Sequence, residues 1–120
     1  MCGSFGRGWV TGFLEGEGSF IARKASRGAW EVGMQASSTD RDDLVKLRKY
    51  IGGKLYGPYK QRGPNHRPYW QWRLYGQPRI ARVLRWMKRH LSKRRRKQVG
   101  KMQQVLKHRR WERGWTPSAE

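Results

Sequence analysis

Residues 9–20, WVTGFLEGEGSF, are the stretch that decides the fold. Apolar residues recur in it at the i, i+4 spacing of one helical face, as Val10 and Leu14 do. Gly18 is a typical helix-terminating residue. The pattern therefore predicts a helix over about residues 8–17. From Ser19 the period changes to two, which predicts a strand directly after the helix.

Two glycines, Gly12 and Gly16, lie at the i, i+4 spacing inside this helix and leave a stripe without side chains. Each costs about 1 kcal/mol of helix stability relative to alanine. Close approach of a second helix is a physical reason for the pair. Glu17 then stands at the helix C-terminus, where the negative end of the macrodipole disfavours an anion. A solvated glutamate and a metal-binding carboxylate both remain open for that position.

Residues 10–18, VTGFLEGEG, resemble the LAGLIDADG motif of homing endonucleases. In this variant an aromatic and a small residue precede Gly-Phe-Ile/Leu, and two acids alternate with glycine before Ser-Phe. The resemblance implies an α+β fold of order αββαββα, with a four-stranded antiparallel DNA-binding sheet and a C-terminal helix. We therefore expect residues 1–120 to form a single LAGLIDADG-like domain, with residues 1–7 and 113–120 flexible.

The same resemblance implies an enzyme that cuts double-stranded DNA with Mg²⁺ (or Mn²⁺). Single-motif members act as homodimers whose motif helices pack at the two-fold axis, which places Gly12, Gly16 and Phe13 in the dimer interface. Glu17 occupies the position of the metal-binding acid, and the backbone carbonyl of Gly16 is implied as a second metal ligand. This chain has glutamate at both acidic positions, Glu15 and Glu17, where the family usually has aspartate.

The family also places a glutamine on the second strand and a lysine before the last helix, both near the attacked phosphate. The glutamine corresponds to Gln35, one residue out of register. The lysine falls in the tract 95–98, RRKQ, where Arg95 is the aligned position, with Lys97 or Lys93 as substitutes. An arginine stabilises negative charge but transfers protons poorly. The resemblance thus implies Glu17, Gln35, Arg95 and Lys97 as catalytic residues, while a solvated or phosphate-clamping basic tract stays open as an alternative for the last two.

The charge of the chain favours a nucleic-acid partner. In 120 residues, 28 lysines and arginines stand against 8 acids, a formal net charge of +20. No acid lies between Asp43 and Glu112. Such a charge attracts polyanions and opposes self-association unless a polyanion screens it. A basic membrane-surface protein is disfavoured because no long helix has a clean apolar face with a basic rim.

Hydrophobic periodicity predicts the remaining elements. Asp40 is a typical N-cap residue for a helix that ends at Gly52-Gly53, and Gly57-Pro58 predicts a bulge in the strand that follows. The tract KRRRK, residues 93–97, interrupts the apolar pattern between the last two helices. The predicted elements are strands near 19–27, 30–37, 54–62 and 68–75, and helices near 40–51, 78–91 and 98–109.

Alternation along the strands predicts a sheet with an apolar core face and a polar face. A β-ribbon of this kind fits the major groove, where arginine suits guanine and glutamine suits adenine. Lysines and arginines beside it neutralise phosphates. The expected partner is double-stranded DNA with a pseudo-palindromic target. The candidates for DNA binding are Ser19, Arg23, Arg27, Gln35, Ser37, Lys60, Arg62, Tyr69, Gln71 and Arg73.

Other chemistries are poorly supported by the sequence. The single cysteine, Cys2, excludes an internal disulfide and favours a reducing compartment. The three histidines have no paired spacing with it, so a structural zinc site is disfavoured. No fingerprint of a small-molecule cofactor is present. We expect an intracellular protein, in the cytoplasm, nucleoid or an organelle, that is neither secreted nor membrane-bound.

The leading hypothesis is a homodimeric, Mg²⁺-dependent, site-specific DNA endonuclease of the kind encoded by mobile introns or inteins. The first alternative is a protein on the same scaffold that binds without cutting, either an RNA maturase or a DNA-binding regulator. A small basic RNA-binding protein of the ribosomal type is the third hypothesis, and charge alone permits it. That class gives no reason for a helix with two glycines and two acids.

Overall fold

The structure is a computed structural model that describes residues 3–24, 30–61, 63, 67–75 and 79–107. Its four strands form one antiparallel sheet in the order β1-β2-β4-β3. The predicted α+β fold and its αββαββα order are confirmed. The elements are α1 (Ser4–Glu17), β1 (Gly18–Lys24), β2 (Trp30–Ser38), α2 (Arg41–Ile51), β3 (Lys54–Tyr59), β4 (Tyr69–Tyr75), α3 (Arg79–Met87), a 3₁₀ turn (Lys88–His90) and α4 (Lys93–Lys107).

The chain forms two compact units, residues 1–19 with 35–74 and residues 20–34 with 75–120. Each has its own buried apolar cluster, which apolar side chains of helices and strands fill. The buried set of the first unit is Val10, Leu14, Ala36, Leu44, Leu47, Ile51, Trp72 and Leu74. That of the second is Phe20, Val32, Met34, Ile80, Val83, Leu84, Met87, Leu91, Val99, Met102 and Val105. None of the described helices is both long and apolar enough to span a bilayer.

Helix α1 begins at Ser4, earlier than the sequence predicts, and ends at Glu17 as expected. The glycine-rich start reads as loose chain in the sequence, yet the Arg7 N–H donates to the Gly3 carbonyl at 2.9 Å. The Thr11 hydroxyl donates to the Arg7 carbonyl at 2.7 Å and is itself buried. Local backbone bonds thus extend the helix toward its N-terminus. Residues 1, 2 and 113–120 lie outside the described residues.

Helix α2 begins and ends as predicted. The Asp40 carboxylate accepts a hydrogen bond from the Asp42 N–H at 3.0 Å, which satisfies a donor that has no partner within the helix. At the other end, Gly52 has φ 81° and its N–H donates to the Arg48 carbonyl at 2.7 Å. A positive φ favours glycine, so this residue ends the helix.

Trp72 holds the end of α2 against β4. Its indole is fully buried, and its Nε1–H donates to the Gly52 carbonyl at 2.7 Å. Gly53 has φ +104°, and a Cβ on it would lie 2.4 Å from Trp72 Nε1. Both the backbone conformation and the space therefore require glycine at this position.

Gly53→Ala is expected to lower the free energy of unfolding by about 2–5 kcal/mol, from backbone strain and overpacking together. Chemical denaturation followed by far-UV circular dichroism measures this. Gly3→Ala is the matched control, since a Cβ there meets no atom within 4 Å in residues 3–24, 30–61, 63, 67–75 and 79–107. Equal stability of the two variants would contradict the role given to Gly53.

The hairpin of β3 and β4 shows the predicted irregularity. Tyr56 pairs with Gln71 and Tyr59 with Tyr69, and the register shifts between the two pairs. Gly57-Pro58 occupies that shift. Proline has no N–H for the ladder, so the irregularity falls where the sequence indicated.

The tract KRRRK is helical, and its interpretation as an interruption between helices is wrong. Helix α4 begins at Lys93 rather than Gln98. Ser92 starts it, since its hydroxyl accepts from the Arg95 N–H at 3.4 Å and its carbonyl from the Arg96 N–H at 2.8 Å. Arg95 is buried on the same face of α4 as Val99, four residues later. An arginine therefore occupies a core position, and the apolar pattern of the sequence does not include it.

Candidate nucleic-acid interface and cleavage site

Glu17 is the last residue of α1, and its side chain is exposed. It lines a cleft of about 920 Å³ in the first unit. Residues from α1, from the end of β2, from the first turn of α2 and from the end of β3 meet there, together with the start of β4. The lining residues are Phe13, Glu17, Ser37, Ser38, Thr39, Asp43, Lys60, Gln61 and Tyr69.

The cleft brings together five residues that the sequence analysis singled out: Phe13, Glu17, Ser37, Lys60 and Tyr69. They supply a carboxylate, an ammonium group, a hydroxyl and a phenol from distant parts of the chain. An ammonium group suits a phosphate oxygen, while a carboxylate suits a cation. The cleft can therefore hold both partners of a metal–phosphate contact.

Four lining residues were not predicted as site residues. Asp43 was assigned to the dipole of α2, which its place in the first turn supports. Ser38 and Thr39 follow the second predicted strand, and Gln61 lies near the end of the third. For Ser38, Thr39 and Gln61 the only sequence signal is their position beside the predicted site residues Ser37 and Lys60.

The donor atoms near Glu17 are of the kind that Mg²⁺ binds. The ion prefers carboxylate and carbonyl oxygens and keeps several waters, so one or two protein ligands suffice. A helix C-terminus also favours a cation. Among the described residues, no group of three or more His, Cys, Asp or Glu side chains is placed to enclose an ion. The Glu17 carboxylate and the Gly16 carbonyl fit an open site of this type.

The glycine stripe of α1 is open among the described residues. A Cβ added at Gly8, Gly12 or Gly16 would meet none of their atoms within 4 Å. The buried residues of α1 lie on its other side, as Val10 and Leu14 show. Gly8 extends the predicted stripe by one turn, and its i, i+4 spacing to Gly12 is the signal for it. Phe13 stacks on Trp9, with ring centroids 5.1 Å apart.

On the outward side of β4, the Arg73 Nη2–H donates to Gln71 Oε1 at 2.6 Å. The Arg73 guanidinium lies 4.7 Å from the centre of the Tyr56 ring.

The other predicted DNA-binding residues differ in exposure and pairing. Gln35 is half-buried, whereas Ser19 and Lys60 are exposed. In the second unit, Arg23 forms an ion pair with Glu31, whose hydrogen bond raises the pKa of the guanidinium above its ordinary value. The predicted DNA-binding residues Arg27 and Arg62 lie outside the described residues.

Arg95 is engaged within the second unit. It is 8% exposed, and its guanidinium lies 5.4 Å from the centre of the Phe20 ring. Its Nη1–H donates to Gln98 Oε1 at 3.1 Å. Lys97, in the same turn of α4, is exposed. Of the two basic residues that the resemblance implied, Lys97 is therefore the one with a solvent-accessible charge.

Comparison with solved structures shows the same fold in homing endonucleases. I-CvuI in complex with its target and calcium matches with a TM-score of 0.66 and 19% identity, over 85% of this chain and 66% of that one. I-TnaI matches with a TM-score of 0.62 and 23% identity, over 83% and 70%. The group I intron-encoded I-CeuI, complexed with DNA, matches with a TM-score of 0.62 and 13% identity, over 88% and 56%.

Comparison by sequence with family models and with curated proteins found no match. The chain spans about two thirds of the length of I-CvuI. The resemblance that VTGFLEGEG indicated is nevertheless confirmed by the structural neighbours and by the order of helices and strands. The chain has the fold of the LAGLIDADG homing endonucleases.

Proposed function

We propose that the protein is a site-specific double-stranded DNA endonuclease that hydrolyses phosphodiesters with Mg²⁺ (or Mn²⁺) as a homodimer. Glu17 of each subunit holds the metal. The observation that carries the proposal is the exposed Glu17 carboxylate, which shares a cleft with Lys60 at the end of the motif helix. The fold and the net charge of +20 support it.

Each group in the cleft has a defined task in this proposal. Glu17 and the Gly16 carbonyl would hold the ion, which when bound would supply charge neutralisation at the phosphate and a more acidic water. Lys60 binds a non-bridging phosphate oxygen, and the hydroxyls of Ser37 and Tyr69 donate to its neighbours. Gln35, Arg95 and Lys97 are kept as proposed catalytic residues on the strength of the family resemblance, and Lys97 is the basic one of them with an exposed charge.

The homodimer follows from the number of strands to be cut. One chain offers one Glu17, while a duplex needs a cleavage centre for each strand. The open stripe of Gly8, Gly12 and Gly16 lets a second α1 approach with little steric hindrance. A two-fold interface makes each subunit read one half-site, which explains the proposed pseudo-palindromic target.

The remaining DNA contacts belong to the polar sheet face and its basic surroundings. Ser19, Arg23, Gln35, Gln71 and Arg73 are the proposed base and backbone contacts among the described residues. The substrate places the protein inside the cell, as expected for an endonuclease of intron homing. The chemistry needs no small-molecule cofactor.

The test begins with duplexes that the protein selects from a randomised library in Ca²⁺, which keeps binding apart from cleavage. A selected site is then cloned into a supercoiled plasmid and incubated with Mg²⁺, Mn²⁺ or EDTA. We expect linear plasmid with either metal, none with EDTA, and none from a plasmid with a scrambled site. Tight binding without cuts in Mg²⁺ and Mn²⁺ would overturn the proposal in favour of a non-cleaving regulator or maturase.

Binding is expected to weaken steeply with salt, because phosphate contacts release counterions. Lys60→Gln removes one such contact from each subunit of the proposed dimer and should reduce the slope of log Kd against log salt by about 1.8. Fluorescence anisotropy with a labelled duplex over a salt series measures both slopes. Asp42→Asn is the control, because it changes an exposed carboxylate of α2 and leaves every proposed phosphate contact in place. An unchanged slope in Lys60→Gln would remove Lys60 from the interface.

A further inference from the structure

We propose that Arg73 reads one guanine in each half-site and that Gln71 and Tyr56 are positioning residues that hold its guanidinium for this purpose. The inference rests on the proposed binding of duplex DNA and adds to it the residue that sets specificity at one base pair. It also changes the role of Gln71, for which the sequence suggested independent reading of adenine.

The strand pairing places the three side chains on one face of the sheet. Trp72 and Leu74 are buried on the core side of β4, so Arg73, which lies between them, points to the other face. Gln71 shares that face because strand side chains alternate. Tyr56 on β3 pairs directly with Gln71, which puts its ring beside both.

Two contacts fix the guanidinium of Arg73. Its Nη2–H donates to Gln71 Oε1 at 2.6 Å, and its Cζ lies 4.7 Å from the centre of the Tyr56 ring. Its Nε is buried and has no hydrogen-bond partner among the described residues. The stem of the side chain is thereby enclosed, and the remaining N–H donors form its outer edge. An arginine held in this way loses little rotamer freedom when it binds.

The chemistry of the group selects guanine. Guanine presents two acceptors in the major groove, O6 and N7, and the planar fork of arginine donates to both. Gln71 has its carbonyl oxygen directed at Arg73, so its amide is not arranged for the acceptor–donor pair that adenine requires.

Arg23 offers a useful contrast within the same protein. Its guanidinium is paired with the Glu31 carboxylate, which neutralises its charge. The partner of Arg73 is a neutral amide, so Arg73 keeps its full charge for DNA. The two arginines are therefore not equivalent as readers of a base edge, and Arg73 is the better prepared.

The experiment compares sequence preferences in Ca²⁺ by binding each protein to a randomised duplex library and sequencing the bound fraction. We expect Arg73→Lys to lose a guanine preference of about 5- to 150-fold at one base pair per half-site, the range of a bidentate arginine–guanine contact. Affinity for unselected duplex should stay within about threefold, because the charge is retained. Arg82→Lys, at an exposed position of α3, is the matched control and should change no preference.

Tyr56→Leu is the second variant, because this side chain is 37% exposed and its replacement opens no core cavity. It should weaken the guanine preference at the same base pair and at no other. An unchanged profile in Arg73→Lys, or an equal loss at every position in both variants, would overturn the inference. If the wild-type protein binds no duplex, the proposed function is overturned as well. That result comes from the wild-type experiment, before any variant is tested.

Discussion

Glu17→Gln is expected to lower the rate of DNA cleavage by at least about 10³-fold while the protein still binds its duplex. In the proposed function this carboxylate holds the Mg²⁺ ion of each subunit, and such an ion contributes several kcal/mol to the stabilisation of the transition state. An amide of the same shape cannot neutralise the ion. Single-turnover cleavage of a linear duplex, with protein in excess, measures this rate without a contribution from product release.

Binding of Glu17→Gln should be equal to wild type or up to about threefold tighter, since the variant removes one negative charge near the phosphates. Asp42→Asn is the matched control: it also removes one carboxylate, but from the first turn of α2, where the side chain is exposed. It should cut at the wild-type rate. Wild-type cleavage by Glu17→Gln would exclude Glu17 as the metal ligand.

Gly12→Ala is expected to act in opposite directions on the folded chain and on the dimer. A Cβ at Gly12 meets no atom of the described part of the chain within 4 Å, so the single chain should gain about 1 kcal/mol from the higher helix propensity of alanine. In the dimer the same methyl group would separate two helices packed on their glycines. We expect the dimer to weaken by about 1–3 kcal/mol, or 5- to 150-fold.

Sedimentation equilibrium of the DNA-bound protein measures the dissociation constant of the dimer. Thermal unfolding at low protein concentration measures the stability of the single chain. Gly100→Ala is the matched control, because it is a helical glycine whose added Cβ makes an ordinary contact with Lys88 Nζ at 3.8 Å. It should gain the same helix stability with no loss of assembly. If Gly12→Ala has the same dimer dissociation constant as wild type, the glycine stripe of α1 is not the dimer interface.

The fold was predictable wherever burial follows a regular period. The i, i+4 pattern predicted α1, the Asp40 cap predicted the start of α2, and the alternation of β2 predicted that Val32 and Met34 are buried. These features depend on neighbours along the chain, whose spacing the sequence displays directly.

Prediction from sequence failed where a polar residue occupies a structural position, or where segments distant in the chain meet. Arg95 occupies a core position of α4, and because it is charged, the apolar pattern did not predict the first turn of this helix. Asp43 reaches the Glu17 cleft from the first turn of α2, and nothing in its local sequence indicates that meeting. Gln61 reaches it from the residues after β3, and its only sequence signal is the neighbouring Lys60. The contact of Arg73 with Tyr56 likewise depends on the register of two strands.

The first turn of α4 makes the stability of the folded chain sensitive to polyanions. The exposed cations Lys93, Arg94, Arg96 and Lys97 crowd the positive end of the helix dipole, where they repel one another and the peptide N–H groups. A polyphosphate that binds only the folded chain would remove this repulsion and shift the folding equilibrium by mass action. If the proposed function holds, duplex DNA should therefore raise the unfolding temperature of the protein.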